Sequence, residues 1–354
     1  MPTMDIDPQA APITTGRSRR SRAPLLLARA TVVVLSGLVI TQAAGWTGHP
    51  TVYVLQALTP YLLALAAPIG IAAAVTRRWF LAGAASLILG ALVVLAMPIL
   101  LHPEPAVPGT TRFTITHSNA YVDNPDPDAV AAALLATGSD LLAITEYTAE
   151  LEVALLARGA DTIYSSWVGT PSPERFGVAL LSRHRITSSD VAAIGTQTGI
   201  VATVSVRGQS VRVVVAHPLP GVDSDSLDLL DRDLRAIGRL ARSPGDPTVV
   251  VGDFNASRWH PGFRDLLARL TDAHEALGRG WSTSWPADRW FPAFVRLDHI
   301  LLGEGTTVIA IDDIDIPGSD HRATIARLAL VRGLTDEASP PTPKALDCDG
   351  TACS

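Results

Sequence analysis

Three short stretches in the C-terminal half hold the groups that could do chemistry: Val249-Val250-Val251-Gly252-Asp253-Phe254-Asn255, Leu297-Asp298-His299-Ile300 and Gly318-Ser319-Asp320-His321. Each sets carboxylates or a histidine at the end of an apolar, strand-like run, where side chains from separate strands meet at the rim of a buried sheet. Carboxylates grip a hard cation, and a histidine moves protons near neutrality. Together they fit metal-assisted attack of water on a phosphoester.

Asp253 and Asn255 stand two apart, and strand periodicity would turn both to one face. There a carboxylate could hold metal or polarise water while the amide donates to a phosphoryl oxygen. An Asx turn closing the strand is the plainer alternative. Asp298 heads another apolar run, 23 residues before His321. A carboxylate beside a histidine fixes its tautomer and stabilises the imidazolium, so the two form a dyad. Glu146 follows Leu141-Leu142-Ala143-Ile144-Thr145, placed either as an oxygen ligand at the sheet edge or as a helix-start charge. Asn119 and His217 also follow strand-like runs, Phe113 to Thr116 and Val213 to Ala216; taken singly, each reads as a capping or core residue.

In order, Asn119, Glu146, His217, Asp253-x-Asn255, Asp298 and Ser319-Asp320-His321 resemble the endonuclease/exonuclease/phosphatase superfamily. The resemblance covers roughly Thr111 to Leu330, and its strongest parts are Gly252-Asp253-Phe254-Asn255 and Ser319-Asp320-His321. It implies a four-layered α/β sandwich that hydrolyses phosphoesters with a divalent metal, Mg²⁺ with Mn²⁺ as a substitute. By the same resemblance Glu146 is the principal metal ligand, helped by Asn119 and Asp320. His321, oriented by Asp298, activates water or stabilises charge; Asp253 and Asn255 position nucleophile and phosphoryl group, and His217 donates to a phosphoryl oxygen. Thr145 and Ser118 depart from the glutamine and aromatic that relatives commonly carry beside the glutamate and asparagine. Arg175 is the candidate phosphate contact, with a surface charge as the alternative. The segment Trp281 to Phe294 holds three tryptophans, and its Ser284-Trp285-Pro286 resembles membrane-bound bacterial members. It would place Trp285 against substrate, at a lipid interface, or in the core.

The elements that must position these groups alternate along the chain. Strands are expected over Arg112 to Thr116, Leu141 to Thr145, Val178 to Leu181, Ile200 to Val206, Val211 to Ala216, Thr248 to Val251, Leu297 to Leu302 and Thr306 to Ile311. Helices are expected over Pro127 to Thr137 and Asp225 to Ala241, the second with Leu227, Leu230, Leu234, Ile237 and Leu240 on one face. A hairpin turning at Arg207-Gly208-Gln209 implies antiparallel pairing. The expectation is two packed mixed sheets flanked by helices, over residues 111–332.

Ahead of this domain lie apolar stretches at Pro24 to Ala44, Thr51 to Val75 and Trp79 to Leu101, each near the ~20 residues that cross a bilayer as a helix. Three spans over residues 24–101 would put Arg17, Arg19, Arg20 and Arg22 on the same side as Arg77 and Arg78. That makes residues 1–23 cytoplasmic and the later domain extracytoplasmic, in a multi-pass cell-membrane protein. The competing reading is a cleaved signal peptide, with Ser18-Arg19-Arg20 as a twin-arginine hint, followed by buried soluble helices. Residues 102–110 are expected to form a proline-rich linker and 333–354 a disordered tail, with Cys348 and Cys353 either bridged or free.

Residues 1–105 carry seven arginines and three acidic residues, leaving 21 basic against 31 acidic side chains beyond them. Proteins that hold polynucleotides usually show a basic stripe, so this balance leans toward a lipid or sugar phosphate. An extracytoplasmic nuclease and a catalytically silent phospholipid- or partner-binding domain stay open as alternatives. No protein partner is implied. Arg29 is the only charged residue well inside the apolar stretches, which speaks against a conduction path.

Overall fold

The computed structural model describes residues 23–101, 107–241 and 245–331. Most of the expected linker, the basic N-terminus and the tail with both cysteines lie outside the described residues. The first strands are β1 (Pro108–Asn119), β2 (Leu141–Thr145), β3 (Ser166–Thr170), β4 (Val178–Ser182), β5 (Arg185–Ile194) and β6 (Gln197–Val206). After them come β7 (Gln209–Val215), β8 (Thr248–Asp253), β9 (Thr271–Asp272), β10 (Asp298–Leu302), β11 (Thr306–Asp315) and β12 (Arg322–Val331). They form two six-stranded sheets, ordered β11-β12-β1-β2-β4-β3 and β5-β6-β7-β8-β10-β9. Both are mixed: β1 with β2 and β7 with β8 run parallel, and the other pairs antiparallel.

Alternation along the strands sorts the apolar residues into three layers. Phe113, Ile115, Leu141 and Leu180 from one sheet meet Val204, Val213, Val249, Val251 and Ile300 from the other. On the far side of the first sheet, Leu142 and Ile144 pack against Val130, Leu134, Leu151 and Leu155. Val214, Val250 and Leu301 face Leu230, Leu234, Ile237 and Phe263 behind the second. Burial on both faces explains why β2, β4 and β8 read as unbroken apolar runs. The result is the expected four-layered sandwich. The hairpin closes through Arg207 and Gly208, both at positive φ (51° and 83°), the geometry of a two-residue primed turn.

Sequence periodicity missed four strands. β5 is an exposed edge strand rich in serine and alanine, β3 is only partly buried, and β9 is two residues long. β12 lies between β11 and β1, but its alanines and arginines hide the pattern. β5, β9 and β12 lack the β-branched, aromatic density that marks a strand locally, and β3 is too short and too broken by Gly169 to show alternation.

Eleven helices occur among the described residues: α1 (Ala23–Ala44), α2 (Pro50–Ala57), α3 (Thr59–Ala64), α4 (Ala66–Val75), α5 (Trp79–Leu100), α6 (Pro127–Ala136), α7 (Ala149–Ala157), α8 (Ala160–Ile163), α9 (Ser224–Leu240), α10 (Pro261–Leu267) and α11 (Ala273–Ala276). Of these, α1 and α5 are long and apolar enough to cross a membrane. The expected middle span is not one straight helix: α2 meets the Thr59–Val75 segment at 68°, so among the described residues two helices are long and apolar enough to cross a membrane, or three such segments if the bent pair counts as one. Pro60 starts a new helix at α3, where it cannot donate to the preceding turn. Contacts with the sandwich also hold α2. Tyr53 stacks on His260 with ring centroids 4.2 Å apart, and its hydroxyl donates to the Asn255 carbonyl.

Candidate active site

Strand direction gathers the chemistry at one rim. The C-terminal ends of β1, β2, β7 and β8 point the same way within their parallel pairs, while β10 and β12 run against them and contribute their starts. Asp298 pairs directly with Asp253 across β8 and β10, and His117 pairs with Thr324 just beyond His321. Gly252 lets the end of β8 lie close to the chain leaving β7: a Cβ there would lie 1.8 Å from the Ala216 carbonyl oxygen.

The Asp253 Oδ2 atom is the focus. Asn119 Nδ2 donates to it at 3.0 Å, His217 Nε2 lies 3.5 Å away and His321 Nε2 3.7 Å away. Asp298 Oδ2 holds His321 Nδ1 at 2.7 Å, the dyad read from the sequence. His217 Nδ1 donates to the Arg175 carbonyl at 3.0 Å, which turns Nε2 toward Asp253. Glu146 accepts from Asn119 Nδ2 (3.1 Å) and from the Val122 amide (2.7 Å). Asp320 accepts from Trp285 Nε1 at 3.1 Å and lies 3.9 Å from His321 Nε2. Glu146, Arg175, His217, Asp253, Asn255, Trp285, Asp320 and His321 all line one cavity of about 960 Å³.

Proton affinities divide accordingly. Burial alone would raise Asp253, but His321 and His217 outweigh it and hold the carboxyl below its ordinary range. His321 is penalised by burial yet pushed up to about 10 by Asp298 and Asp253, so it is an imidazolium at neutral pH. Burial also opposes the His217 cation, and its contact with Asp253 raises it regardless. Burial raises Asp320, with His321 opposing and the Glu146 charge adding to the rise. The floor of the site is therefore charged, with carboxylate and imidazolium in contact away from bulk water.

Two sets of atoms could hold a metal. Ligand atoms of Asp253, Asp298 and His321 lie within 4.8 Å of one another, a buried group that could bind a divalent ion. Within it, Asp298 and His321 already satisfy each other. Glu146 and Asp320 instead face the cavity half-buried, with no arginine or lysine ion pair among the described residues, an all-oxygen donor pair of the kind hard cations prefer. Asn119 turns its amide nitrogen to both Glu146 and Asp253 while its oxygen accepts from the Tyr121 amide, so here it braces the two carboxylates.

Strand periodicity does not carry Asn255 to the face of Asp253. Strand β8 ends at Asp253, and Asn255 adopts a left-handed backbone (φ 49°). Its amide N–H donates to Asp253 Oδ1 at 2.8 Å, the Asx turn, and its side chain donates to the Pro218 carbonyl at 2.9 Å. Left-handed φ recurs at Glu146 (52°) and Tyr121 (64°), both beside the cavity. Non-glycine residues adopt it at a cost, and such positions gather at functional sites. His299, next to Asp298, points to the opposite face, where its Nδ1 meets Asp272 Oδ2 at 2.6 Å.

Sequence reasoning overlooked His117. It is fully buried two residues before Asn119, its Nε2 is 3.3 Å from Thr145 Oγ1, and its Nδ1 lies 3.5 Å from Asp298 Oδ1. Among the described residues, neither of those last two atoms has a hydrogen-bond partner. Burial outweighs the pull of Asp298 and Asp253 and pushes His117 down to about 4, so it is neutral. The period-two spacing to Asn119 was the available signal. Ser284 escaped notice too; its hydroxyl accepts from the Leu297 and Asp298 amides and fixes the start of β10.

The chain belongs to the Endonuclease/Exonuclease/phosphatase family, whose model matches residues 117–321. Among solved structures it is similar to a humanized D. rerio TDP2 at 17% identity and TM-score 0.53, covering 62% of this chain and 99% of that one. The human Nocturnin catalytic domain with bound sulfate matches at 17% identity and TM-score 0.50, covering 66% and 99%. A family member from Bacteroides vulgatus matches at 16% and 0.50, covering 62% and 100%. Identities this low establish likeness of fold. No curated protein matches the sequence. Members of the family are commonly hydrolases of phosphoester bonds.

Proposed function

We propose that this protein is a membrane-anchored, divalent-metal-dependent phosphoester hydrolase whose catalytic domain lies outside the cytoplasm. The observation that carries the reading is the convergence of Asp253, His217 and the His321–Asp298 dyad on the cavity that Glu146 and Asp320 also face. Glu146 and Asp320, with Asn119 behind them, are the residues we assign to Mg²⁺, with Mn²⁺ as a substitute. Bound there, the ion would supply positive charge to the phosphoryl oxygens and make water more acidic. Asp253, ionised, accepts a proton-bearing contact from the attacking water and orients it. His321, already protonated, donates to charge developing on oxygen rather than removing the first proton. His217 donates beside it through Nε2, Asn255 is assigned to positioning at the rim, and Arg175 and Trp285 are assigned to the substrate side.

Two long apolar helices support the membrane placement in this reading. The C-terminal ends of α1 and α5 touch the sandwich, through Gln42 on the Trp259 carbonyl and through Ala96 and Ile99 beside Trp259. Their opposite ends adjoin Arg22 and Arg78, the basic flanks that favour the cytoplasm. A nuclease reading draws on the fold shared with D. rerio TDP2, one structure of which is a complex with a single strand DNA product. Against it, Arg175 is the only arginine or lysine among the residues lining the cavity.

The test is hydrolysis of bis(p-nitrophenyl) phosphate by the full chain in detergent, abolished by EDTA and restored by Mg²⁺. Glu146→Gln should raise the Mg²⁺ concentration for half-maximal rate by roughly 10-fold or more, the scale of losing a ligand or its support. An unaltered Mg²⁺ titration would remove Glu146 from the metal site.

A further inference from the structure

The catalytic cavity is not built from the sandwich alone. Pro50, Thr51, Tyr53, Val54, Ala57 and Leu58, from α2 and its C-cap, line it together with Asp253 and His321. This stretch comes from the apolar region, between the spans α1 and α5, at the end of both helices that meets the sandwich. It contains no charged side chain, and Val54 is 55% exposed. Phe294 and Val295, which line the cavity from the sandwich, are tied to the same helical region: Tyr61 of α3 donates to the Phe294 carbonyl at 2.9 Å.

The docking of α2 is specific. The Tyr53 hydroxyl donates to the Asn255 carbonyl, two residues after Asp253. His260 accepts from the Ser257 amide through Nδ1 and donates through Nε2 to the Tyr53 carbonyl at 3.1 Å, with the rings stacked. On the other flank, Arg264 donates to Gln42 Oε1 at 2.7 Å. An apolar wall of the catalytic cleft is thus fixed within about two residues of its central carboxylate, and that wall belongs to the membrane-embedding part of the chain.

Building on the hydrolase reading above, we propose that the substrate is a lipid of the surrounding bilayer carrying a phosphoester headgroup. Its phosphate would seat against His217, Asp253 and His321, and its alkyl chain would lie along Val54, Ala57 and Leu58. A water-soluble phosphoester has no use for an apolar helix in the cleft, whereas an amphiphile buries its chain there while the headgroup stays at the polar rim. The charge balance agrees: Asp123, Glu146, Asp253 and Asp320 line the cavity against Arg175 and the His321 imidazolium, unsuited to a run of backbone phosphates and suited to one phosphoryl group held by a cation. In the reaction, water oxygen bonds to phosphorus, the ester P–O bond breaks, and the water proton ends on the leaving oxygen.

The experiment compares two diesters that release the same p-nitrophenolate: methyl p-nitrophenyl phosphate in solution, and dodecyl p-nitrophenyl phosphate dissolved in phosphatidylcholine nanodiscs holding the full chain. With Mg²⁺, kcat/KM for the dodecyl ester should exceed that for the methyl ester by roughly 100-fold, a fraction of what burying the added methylenes could supply. Val54→Asp should lower that ratio about 10-fold or more, and the uncharged Val54→Gln should lower it less, in the same direction. Equal rates for the two esters, or a ratio that neither variant moves, would overturn the lipid assignment while leaving the hydrolase reading standing. EDTA-insensitive or absent turnover of both esters would instead remove the hydrolase reading and this inference with it. Cleavage of a single-stranded oligonucleotide with kcat/KM above the dodecyl ester would overturn the lipid assignment in favour of a nuclease.

Discussion

Replacing Asp298 by asparagine isolates the feature on which the chemistry turns. The carboxylate holds His321 Nδ1 at 2.7 Å, and it heads the charges that push the imidazole up to about 10 from an ordinary 6.5. A rise of that size corresponds to roughly 5 kcal/mol in favour of the imidazolium, at about 1.4 kcal/mol per pK unit. It is achieved against burial, which alone would favour the neutral ring. Asparagine keeps the shape but removes the charge, leaving Asp253 at 3.7 Å as the main counterweight to burial. If the protonated ring stabilises the transition state, activity is present below the His321 value and lost above it. The wild-type rate should therefore fall near pH 10, and the variant's alkaline limb should move down by at least about one unit. Turnover at its optimum should drop roughly 10²- to 10⁴-fold, the range seen when a histidine loses its carboxylate. The assay is steady-state hydrolysis of bis(p-nitrophenyl) phosphate from about pH 6 to 10 with Mg²⁺ kept below the concentration at which its hydroxide precipitates, beside a melting curve showing the variant folded. An unshifted alkaline limb with turnover within about threefold of wild type would refute the argument.

Asp253→Ala should lower turnover by roughly 10²-fold or more and still melt cooperatively, because the strand pairing that forms the rim involves backbone atoms; an active variant would dismiss Asp253 as the water-orienting group. Stability should vary with pH in opposite senses on either side of 6.5. Burial holds His117 and His260 near 4 against an ordinary 6.5, so each favours the fold fully above 6.5 and loses that contribution as pH falls toward 4, on the order of 3 kcal/mol apiece. His321 acts the other way: its contribution is full below 6.5 and is lost as pH rises through about 10. Melting temperatures of the metal-free protein from pH 4 to 10 should peak near 6.5, and a profile rising steadily to pH 9 would contradict these assignments.

Much of the site could be read along the chain because its groups sit where runs of Val, Leu and Ile stop. Leu141 to Thr145 and Thr248 to Asp253 are covered on both faces, so their apolar character is local and complete, and the polar residue after each run marks the rim. The same local logic fails where a strand is stabilised by its neighbours. β12 takes its place from pairing with β1 and β11, not from its own alanine-rich composition. It also fails at Asn255, where a left-handed residue ends the alternation that a continuing strand would have kept.

What the sequence alone determined is the family and the order of the polar residues: Asn119, Glu146, His217, Asp253 and Asp298 each follow or head an apolar run strong enough to be a buried strand, and His321 closes the Ser319-Asp320-His321 motif. Only the tertiary structure decided their partners. It aimed three groups at one oxygen of Asp253, set His117 behind Asp298, and brought a bent apolar helix, expected as a span, against the Asn255 carbonyl. The physical reason is separation. Periodicity reports which face a side chain takes over a few residues, whereas the contact between Tyr53 and Asn255 joins positions 202 residues apart, which only sheet order and packing bring together.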